Sequence, residues 1–390
     1  MKKFIFICVL FIMAAAFSGA QEMERYWQLY NTATTNTDQL GILEMLSRQN
    51  ISGMGEFYVR ALRRLVAGHA NIRGATQINA ADGQAMILSA AIGNEGPSAA
   101  AAASDLWLVV DRFRDPLVRA EALAALGKIE AREYLPHVIR VLNDANLPNP
   151  PDRLNTERVA YGAIISLENF ADPAGFLPVY FASVGWYSDR IKNQAAKSLP
   201  LIAEDPYPFM KEILRSPGNT YRVKLSALQY SQASNTSVNN KAELAAIALE
   251  EAWNAYTSDI SEKSTLRQSR MLSMNMISEH GAANDSVYPL LERCYKEGED
   301  TTEKEEALST IAALATEDSA RLLSDFLMDL TDKLKSDRLT NEDQHLVRLI
   351  IPYLGSIKSR EGFFALTAVL GSDWVPVVKN LAQDALRQIQ

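Results

Sequence analysis

The chain has 390 residues, of which 47% are hydrophobic and 22% charged, with a formal net charge of −8 and two cysteines. A net negative charge opposes non-specific binding to nucleic acid, which requires a basic surface to displace counterions from the phosphates. The length suffices for two or three domains, unless the chain is an array of repeats.

Residues 1–20 have the order of a secretory signal peptide. Lys2 and Lys3 precede an apolar run from Phe4 to Phe17, and small residues follow up to Ala20. The run is shorter than the roughly 20 residues that cross a bilayer. We therefore expect cleavage after Ala20, no membrane span in the mature chain, and a net charge that falls from −8 to −10 because two lysines are removed.

The mature chain keeps one cysteine, Cys294, and so cannot form an internal disulfide. For an exported protein, this fits a bacterial envelope better than a secreted domain stabilised by disulfides. Cys294 lies in the segment VYPLLERCY, where we predict a small buried apolar residue and not a reactive thiol. The location predicted is the periplasm, with the cell surface or secretion as alternatives.

Residues 21–97 contain four segments with helical patterns: ERYWQLY, TDQLGILEMLSRQ, GEFYVRALRRLVAG and ADGQAMILSAAIG. We interpret this region as divergent helical repeats that cap one end of the array described next.

The segment DPLVRAEALAALGKIEAREYLPHVIRVL, residues 115–142, predicts two consecutive helices. Asp115 can cap the first helix, with Pro116 at its first position, where a missing N–H is tolerated. Spacings of three and four residues place one set of apolar side chains on a single face of this helix: Val118, Ala122, Ala125, Leu126 and Ile129. Such a pair cannot bury its apolar face by itself.

The pattern recurs along the chain. An apolar residue, a cation and an alanine three residues after the cation occur at 118–122, 223–227 and 378–382. Looser copies occur near Val159, Lys192, Lys304 and Arg348. Their spacing of roughly 30 to 45 residues overlaps that of two-helix repeats.

These segments, above all DPLVRAEALAALGKI and WVPVVKNLAQDALRQI, resemble the HEAT-repeat family in its short bacterial form. The resemblance covers residues 99–390. It implies an all-α fold, a right-handed α-solenoid of stacked antiparallel helix pairs that follows the signal peptide. Residues 98–230 and 241–390 would form repeats, and the segment SQASNTSVNN, residues 231–240, would be a loop or hinge between them. A second loop, rich in proline and asparagine, is expected at 143–155, and the last helix is expected to be uncapped and able to dock on a partner.

No catalytic motif is present in the sequence. The four histidines have neither the HExxH spacing nor a neighbouring cysteine, and phosphate-binding, nucleophile-elbow and dinucleotide motifs are absent. We therefore predict no metal, no cofactor and no enzymatic activity. Some HEAT-like families attach bilins and others excise alkylated bases, but the first act inside the cell and the second require a basic groove.

The cation of each repeat is the first candidate binding feature. In a solenoid, equivalent positions align along one surface, so these residues would form a basic column that recognises an acidic partner: Arg119, Lys192, Lys224, Lys304, Arg348 and Lys379. The structural alternative is that each cation binds an acid or carbonyl of the adjoining repeat. Ala160, which interrupts the column, favours that alternative.

Trp186 and Tyr187 form the second candidate. They follow Gly185 in a predicted turn, where they could present an exposed edge to a peptide or a glycan. The preceding aromatic residues, Phe176, Tyr180 and Phe181, have helical spacing and are predicted to pack in the core.

The function predicted from these patterns is an exported, non-enzymatic scaffold or adaptor that binds a protein partner in the cell envelope and no nucleic acid. A glycan- or cell-wall-binding envelope protein is the alternative, and a HEAT-like enzyme such as a lyase is a third hypothesis. Because fold does not determine function, the partner and the oligomeric state stay open.

Overall fold

The computed structural model describes residues 21–49, 51, 53–282 and 284–389, and the predicted signal peptide lies outside them. Every regular element in these residues is helical. The chain divides into two compact units, and the division falls between Glu204 and Asp205 in the sequence. Within the described ranges, no helix combines the length and the apolar character needed to cross a bilayer.

The described residues of the first unit form ten α-helices joined by short loops and 3-10 turns. They are α1 (residues 21–32), α2 (Asn36–Gln49), α3 (Gly55–Gly68), α4 (Ala75–Glu95), α5 (Ala103–Arg112), α6 (Pro116–Lys128), α7 (Leu135–Ala145), α8 (Arg153–Phe170), α9 (Phe176–Val184) and α10 (Asp189–Ile202).

The second unit has the same plan. Its helices are α11 (Tyr207–Arg215), α12 (Tyr221–Ala233), α13 (Val238–Asn254), α14 (Ile260–His280), α15 (Val287–Glu297), α16 (Thr301–Leu314), α17 (Glu317–Lys335), α18 (Asn341–Ile357), α19 (Phe363–Leu370) and α20 (Pro376–Ile389).

Each unit stacks its helices in two layers. In the first unit, α2, α4, α6, α8 and α10 pack successively on one another, while α5, α7 and α9 pack against their neighbours in that row. The second unit repeats this arrangement, with α12, α14, α16, α18 and α20 in one layer and the odd-numbered helices in the other. Short loops make consecutive helices antiparallel neighbours. Each pair therefore buries its apolar face against the next pair.

Helix α6 begins as the sequence predicts. The Oδ1 atom of Asp115 accepts hydrogen bonds from the backbone N–H groups of Leu117 (2.7 Å) and Val118 (3.3 Å), and Pro116 occupies the first turn. All five residues of the predicted apolar face are buried. The cap satisfies two of the N–H groups that a helix N-terminus leaves unpaired, so α6 starts at a defined residue.

Helices α6 and α8 approach each other closely at two glycines. A Cβ atom on Gly127 would lie 2.5 Å from the Cα atom of Ser166, and one on Gly162 would lie 2.3 Å from the carbonyl oxygen of Ala120. No side chain fits at these distances. Glycine at both positions therefore sets the separation of the two helices.

The predicted bounds of the loop at residues 231–240 are wrong at both ends. Helix α12 continues to Ala233 and α13 begins at Val238, so residues 234–237 form the connection. Ser237 caps α13 by accepting from the N–H group of Asn240 (3.3 Å), which is why a serine- and asparagine-rich segment is partly helical here. The division between the two units also lies elsewhere, at residues 204 and 205.

Replacement of Gly162 by alanine should destabilise the protein. We expect Gly162→Ala to lower the free energy of unfolding by about 1–3 kcal/mol, because the added Cβ forces α6 and α8 apart. The matched control is Gly41→Ala on α2, where a Cβ would meet no atom within 4 Å. There alanine should raise stability by about 0.5–1 kcal/mol, through its better helix propensity. Urea unfolding followed by circular dichroism measures both values, and equal stability of the two variants would contradict the packing account.

Candidate functional site

A cavity of about 350 Å³ lies beside the loop that joins α7 to α8. This loop occupies residues 146–152, inside the segment that the sequence predicts to be irregular. The lining includes two arginines, an acid, two prolines of the loop and an amide: Arg114, Arg119, Asp144, Pro150, Pro151 and Asn155. The structure thus places the first cation of the predicted column at the wall of a cavity.

Arg119 has a fixed position and free donors. Its Nε atom donates a hydrogen bond to the carbonyl oxygen of Val110, in the last turn of α5, at 3.0 Å. Its two terminal nitrogens have no protein acceptor among the described residues. A guanidinium carries five N–H donors, so four of them can bind another group. Arg119 therefore serves the packing of α5 on α6 and can also bind a ligand.

Arg114 and Asp144 complete the charges of the cavity. Both side chains are exposed, and neither forms an ion pair or a side-chain hydrogen bond within the described ranges. The lining therefore holds two cationic groups and one carboxylate. An acidic group of a partner would meet a net positive charge here, on a chain whose formal net charge is −8.

Trp186 and Tyr187 do not form an exposed edge, so that prediction is wrong for Tyr187, which is only 3% exposed. The two rings stack on each other with centroids 4.2 Å apart. The Tyr187 hydroxyl donates to Oδ1 of Asn146 at 3.0 Å, and Nε1 of Trp186 donates to the carbonyl oxygen of Ala145 at 3.2 Å. Burial also raises the pKa of Tyr187. Both rings hold the end of α7 and the start of the following loop.

Trp186 is half-buried and is the member of the pair that lies nearer solvent. The guanidinium of Arg153 lies over its ring, 5.2 Å from the centroid. Its backbone partner, Ala145, lines the cavity. The second predicted candidate thus supports the loop beside Arg119, although it contacts the cavity only through Ala145.

The aromatic residues of α9 are placed largely as predicted. Phe176 and Tyr180 are buried, and Phe181 is half-buried. They contribute to the core and to no site.

Two lysines of the predicted column have a structural role in the second unit. Lys224 is only 9% exposed, and its Nζ atom lies 2.7 Å from Oε2 of Glu251 at the end of α13. Lys304 lies 3.1 Å from Oε1 of Glu342, in the first turn of α18. The Lys304 pair joins α16 to α18, as the structural alternative for the column requires, whereas the Lys224 pair joins the consecutive helices α12 and α13.

The other cations of the column have no such partner. Arg348 is exposed, and Lys192 and Lys379 are half-exposed. None of the three forms an ion pair or a side-chain hydrogen bond with a described residue. The column is therefore heterogeneous: Arg119, Lys224 and Lys304 bind neighbouring helices, and the remaining three stay available for a partner.

A buried ionic network in the second unit was not predicted from the sequence. Arg270 is 4% exposed and Glu303 is fully buried, and they form a two-pronged ion pair in which Nε bonds Oε1 and Nη2 lies 3.2 Å from Oε2. Arg270 and Arg293 both lie over the ring of Trp253, at 4.6 and 4.7 Å from its centroid. No sequence signal separates Arg270 from the other polar residues of LRQSRMLS, residues 266–273. Its partner lies 33 residues away.

Cys294 lies beside this network, and its predicted burial is confirmed. The side chain is fully buried, and its sulfur accepts a hydrogen bond of 3.0 Å from Nε1 of Trp253. Burial raises the pKa of the thiol to about 12, so the reactive thiolate is scarce at neutral pH. No group of three or more metal-ligating side chains occurs in the described part of the chain.

The two kinds of cation should differ in stability measurements. We expect Lys224→Met to lower the free energy of unfolding by about 1–3 kcal/mol, because Glu251 loses a charged hydrogen-bond partner. Arg348→Met, at an exposed position without a partner, should change stability by no more than about 0.5 kcal/mol. Urea unfolding measures the difference. If Lys224→Met were as stable as Arg348→Met, the structural role of Lys224 would be wrong.

Comparison with protein-family models matches one segment of the chain. Residues 118–144 match the family model described as the PBS lyase HEAT-like repeat. The matched segment begins in the first turn of α6 and ends in the last turn of α7, next to the cavity. No curated protein matches the chain. The match and the all-helical described structure are consistent with a HEAT-like repeat protein, which confirms the resemblance seen in the sequence.

Proposed function

We propose that this protein is an exported, non-enzymatic scaffold that binds a protein partner through the surface of its helical repeats. The observation that carries the proposal is the cavity beside the α7–α8 loop, where Arg114 and Arg119 keep donors that no described protein group accepts. Unpaired charged groups at a concave surface favour the binding of a complementary group.

The chemistry of this cavity suits an extended segment of a partner with an acidic side chain. The arginines supply N–H donors in a planar arrangement that matches a carboxylate. Pro150 and Pro151 limit the motion of the loop, which reduces the entropy lost on binding. Asp144 and Asn155 provide acceptors for backbone N–H groups of the segment.

Export is the second part of the proposal and is supported by the signal-like order of residues 1–20. The partner would then lie in the cell envelope, in the periplasm or at the cell surface. Mass spectrometry of the purified chain should find Gln21 as its first residue. Export would be contradicted if the cell-envelope preparation lacked the chain and the chain found in the cytoplasm still began at Met1.

The Trp186–Tyr187 pair gives little support to glycan binding. Sugars bind to aromatic side chains through an open ring face, but Tyr187 is buried and the Trp186 ring already contacts both Tyr187 and Arg153. The protein-binding proposal therefore takes precedence at this loop.

Charge reversal at the cavity should weaken partner binding without loss of folding. Arg114 is exposed and unpaired among described residues, so Arg114→Glu should leave the fold intact while repelling an acidic group. The measurement is affinity capture of the tagged mature chain from cross-linked native envelopes. We expect a stoichiometric protein with the wild type and about tenfold less of it with Arg114→Glu.

The matched control for this experiment is Arg222→Glu on α12, which reverses an exposed charge in the second unit. It should retain the partner in full. Equal recovery with Arg114→Glu and Arg222→Glu would overturn the proposed site, and recovery of the wild-type chain alone would overturn the scaffold proposal.

A further inference from the structure

The first unit contains a second cavity, of about 530 Å³, far in sequence from the α7–α8 loop. It lies between the loop that joins α1 to α2 and the turn that joins α3 to α4. We propose that this cavity binds a sugar that carries a carboxylate group. The proposal does not rest on the protein-partner site, and its volume lies within the range of small-molecule sites.

Neutral polar side chains dominate the cavity lining. Five carboxamides face it: Asn31, Asn36, Gln39, Asn71 and Gln77. Three hydroxyls join them: Thr32, Thr34 and Thr35. A carboxamide presents a donor and an acceptor side by side, which matches two neighbouring hydroxyl groups of a sugar ring. The lining thus fits a ligand rich in hydroxyls.

Hydrogen bonds to neighbouring residues hold part of this polar surface in place. The backbone N–H of Asn36 donates to Oε1 of Gln77 at 2.8 Å, and Nε2 of Gln84 donates to the carbonyl oxygen of Asn36 at 2.9 Å. Gln84 is fully buried and accepts a 2.6 Å hydrogen bond from the hydroxyl of Tyr30. The positions of Asn36 and Gln77 are therefore fixed before a ligand binds, which reduces the entropy lost on binding.

Gln39 is the most buried carboxamide of the lining, at 8% exposure. Its Nε2 atom donates one long hydrogen bond of 3.4 Å to the carbonyl oxygen of Ala33. Its Oε1 atom accepts none from any described residue. Gln39 therefore keeps hydrogen-bonding capacity for a polar ligand at the cavity wall.

The charged groups of the lining are all positive. Arg64 and Arg73 line the cavity, and no carboxylate does. One Nη atom of Arg64 donates to the carbonyl oxygen of Asn31 at 3.1 Å, and one of Arg73 donates to those of Ala70 and Ile72 at 2.7 and 2.9 Å. Neither arginine has an ion-pair partner in the described ranges, so the other N–H groups can bind an anion.

These observations favour an acidic sugar over an acidic peptide or an inorganic anion. A peptide site needs apolar pockets for side chains, but the apolar part of this lining consists of Ala33, Leu65 and Ile72. A phosphate site would require more cations or backbone N–H groups and fewer carboxamides. The hydroxyls of Thr32 and Thr35 already form hydrogen bonds at the ends of α1 and α2. The other neutral polar side chains of the lining, with the two guanidinium groups, match several hydroxyls and one carboxylate.

Isothermal titration calorimetry of the mature chain with defined disaccharides tests the proposal. The acidic probes are digalacturonate, which carries uronic acids, and the disaccharide of N-acetylglucosamine and N-acetylmuramic acid, which carries a lactyl carboxylate. The neutral probe is chitobiose. We expect at least one acidic probe to bind with a dissociation constant in the millimolar range or below and chitobiose to bind about tenfold more weakly. The acidic probe that binds identifies the source of the sugar.

Two variants test whether the acidic probe binds in this cavity. Arg73→Gln and Arg64→Gln should each weaken binding of the acidic probe about tenfold. Arg64 lies within α3, so its variant decides the question if Arg73→Gln loosens the turn. The matched control is Arg48→Gln, at an exposed position on α2 outside the lining, and it should bind like the wild type.

Three results would overturn the proposal. Equal binding of chitobiose would remove the need for a carboxylate. Tighter binding of the dipeptide Asp-Glu than of either acidic sugar would assign the cavity to peptides. The absence of binding by both acidic probes at millimolar concentration would exclude the site as described.

Discussion

A helix pair with one apolar face must bury that face against its neighbour, and this requirement governs the structure of both units. In the first unit, helices α6 and α8 pack closely because Gly127 and Gly162 let their two backbones come into contact. The apolar residues on the face of α6 that the sequence predicts are buried as a result. The α7–α8 loop emerges beside this contact and carries the cavity with Arg119.

Charged residues contribute to the packing of the helices as well as to the protein surface. Arg119 binds the carbonyl of Val110, and Lys224 binds Glu251, so cations in equivalent repeat positions join one helix to another. Arg270 and Glu303 do this in the interior, where each charge needs its partner because removal of one leaves the other unpaired and buried. The same residue types therefore either stabilise the stack or stay unpaired among the described residues, and only their neighbours in space distinguish the two cases.

The sequence predicts those parts of the fold that depend on local pattern. Asp115, Pro116 and the apolar spacing of α6 are adjacent in the chain, and the structure confirms them. Tyr187 was predicted to be exposed because its hydroxyl partner, Asn146, lies 41 residues away. The loop at 231–240 was predicted too long because serine and asparagine are typical of both loops and helix caps.

The candidate sites, too, could not be predicted from local sequence pattern alone. The Arg119 side chain and the proline-rich loop were each visible in the sequence, but their meeting at one cavity was not. The cavity near Gln39 gives no sequence signal, because residues 31–77 supply ordinary polar side chains from several helices and loops. The candidate sites thus depend on contacts between residues that are distant in sequence, whereas the architecture follows from the repeat pattern.

The proposed function requires that the surface beside the α7–α8 loop bind one protein partner. Its most direct test is site-specific photo-crosslinking in cells, with a photoreactive amino acid in place of Asn155, which lines the cavity, and of Asn380, which is exposed on α20. We expect one discrete protein adduct from the Asn155 position and none from Asn380. No adduct from the Asn155 position, or the same adducts from both, would contradict the account.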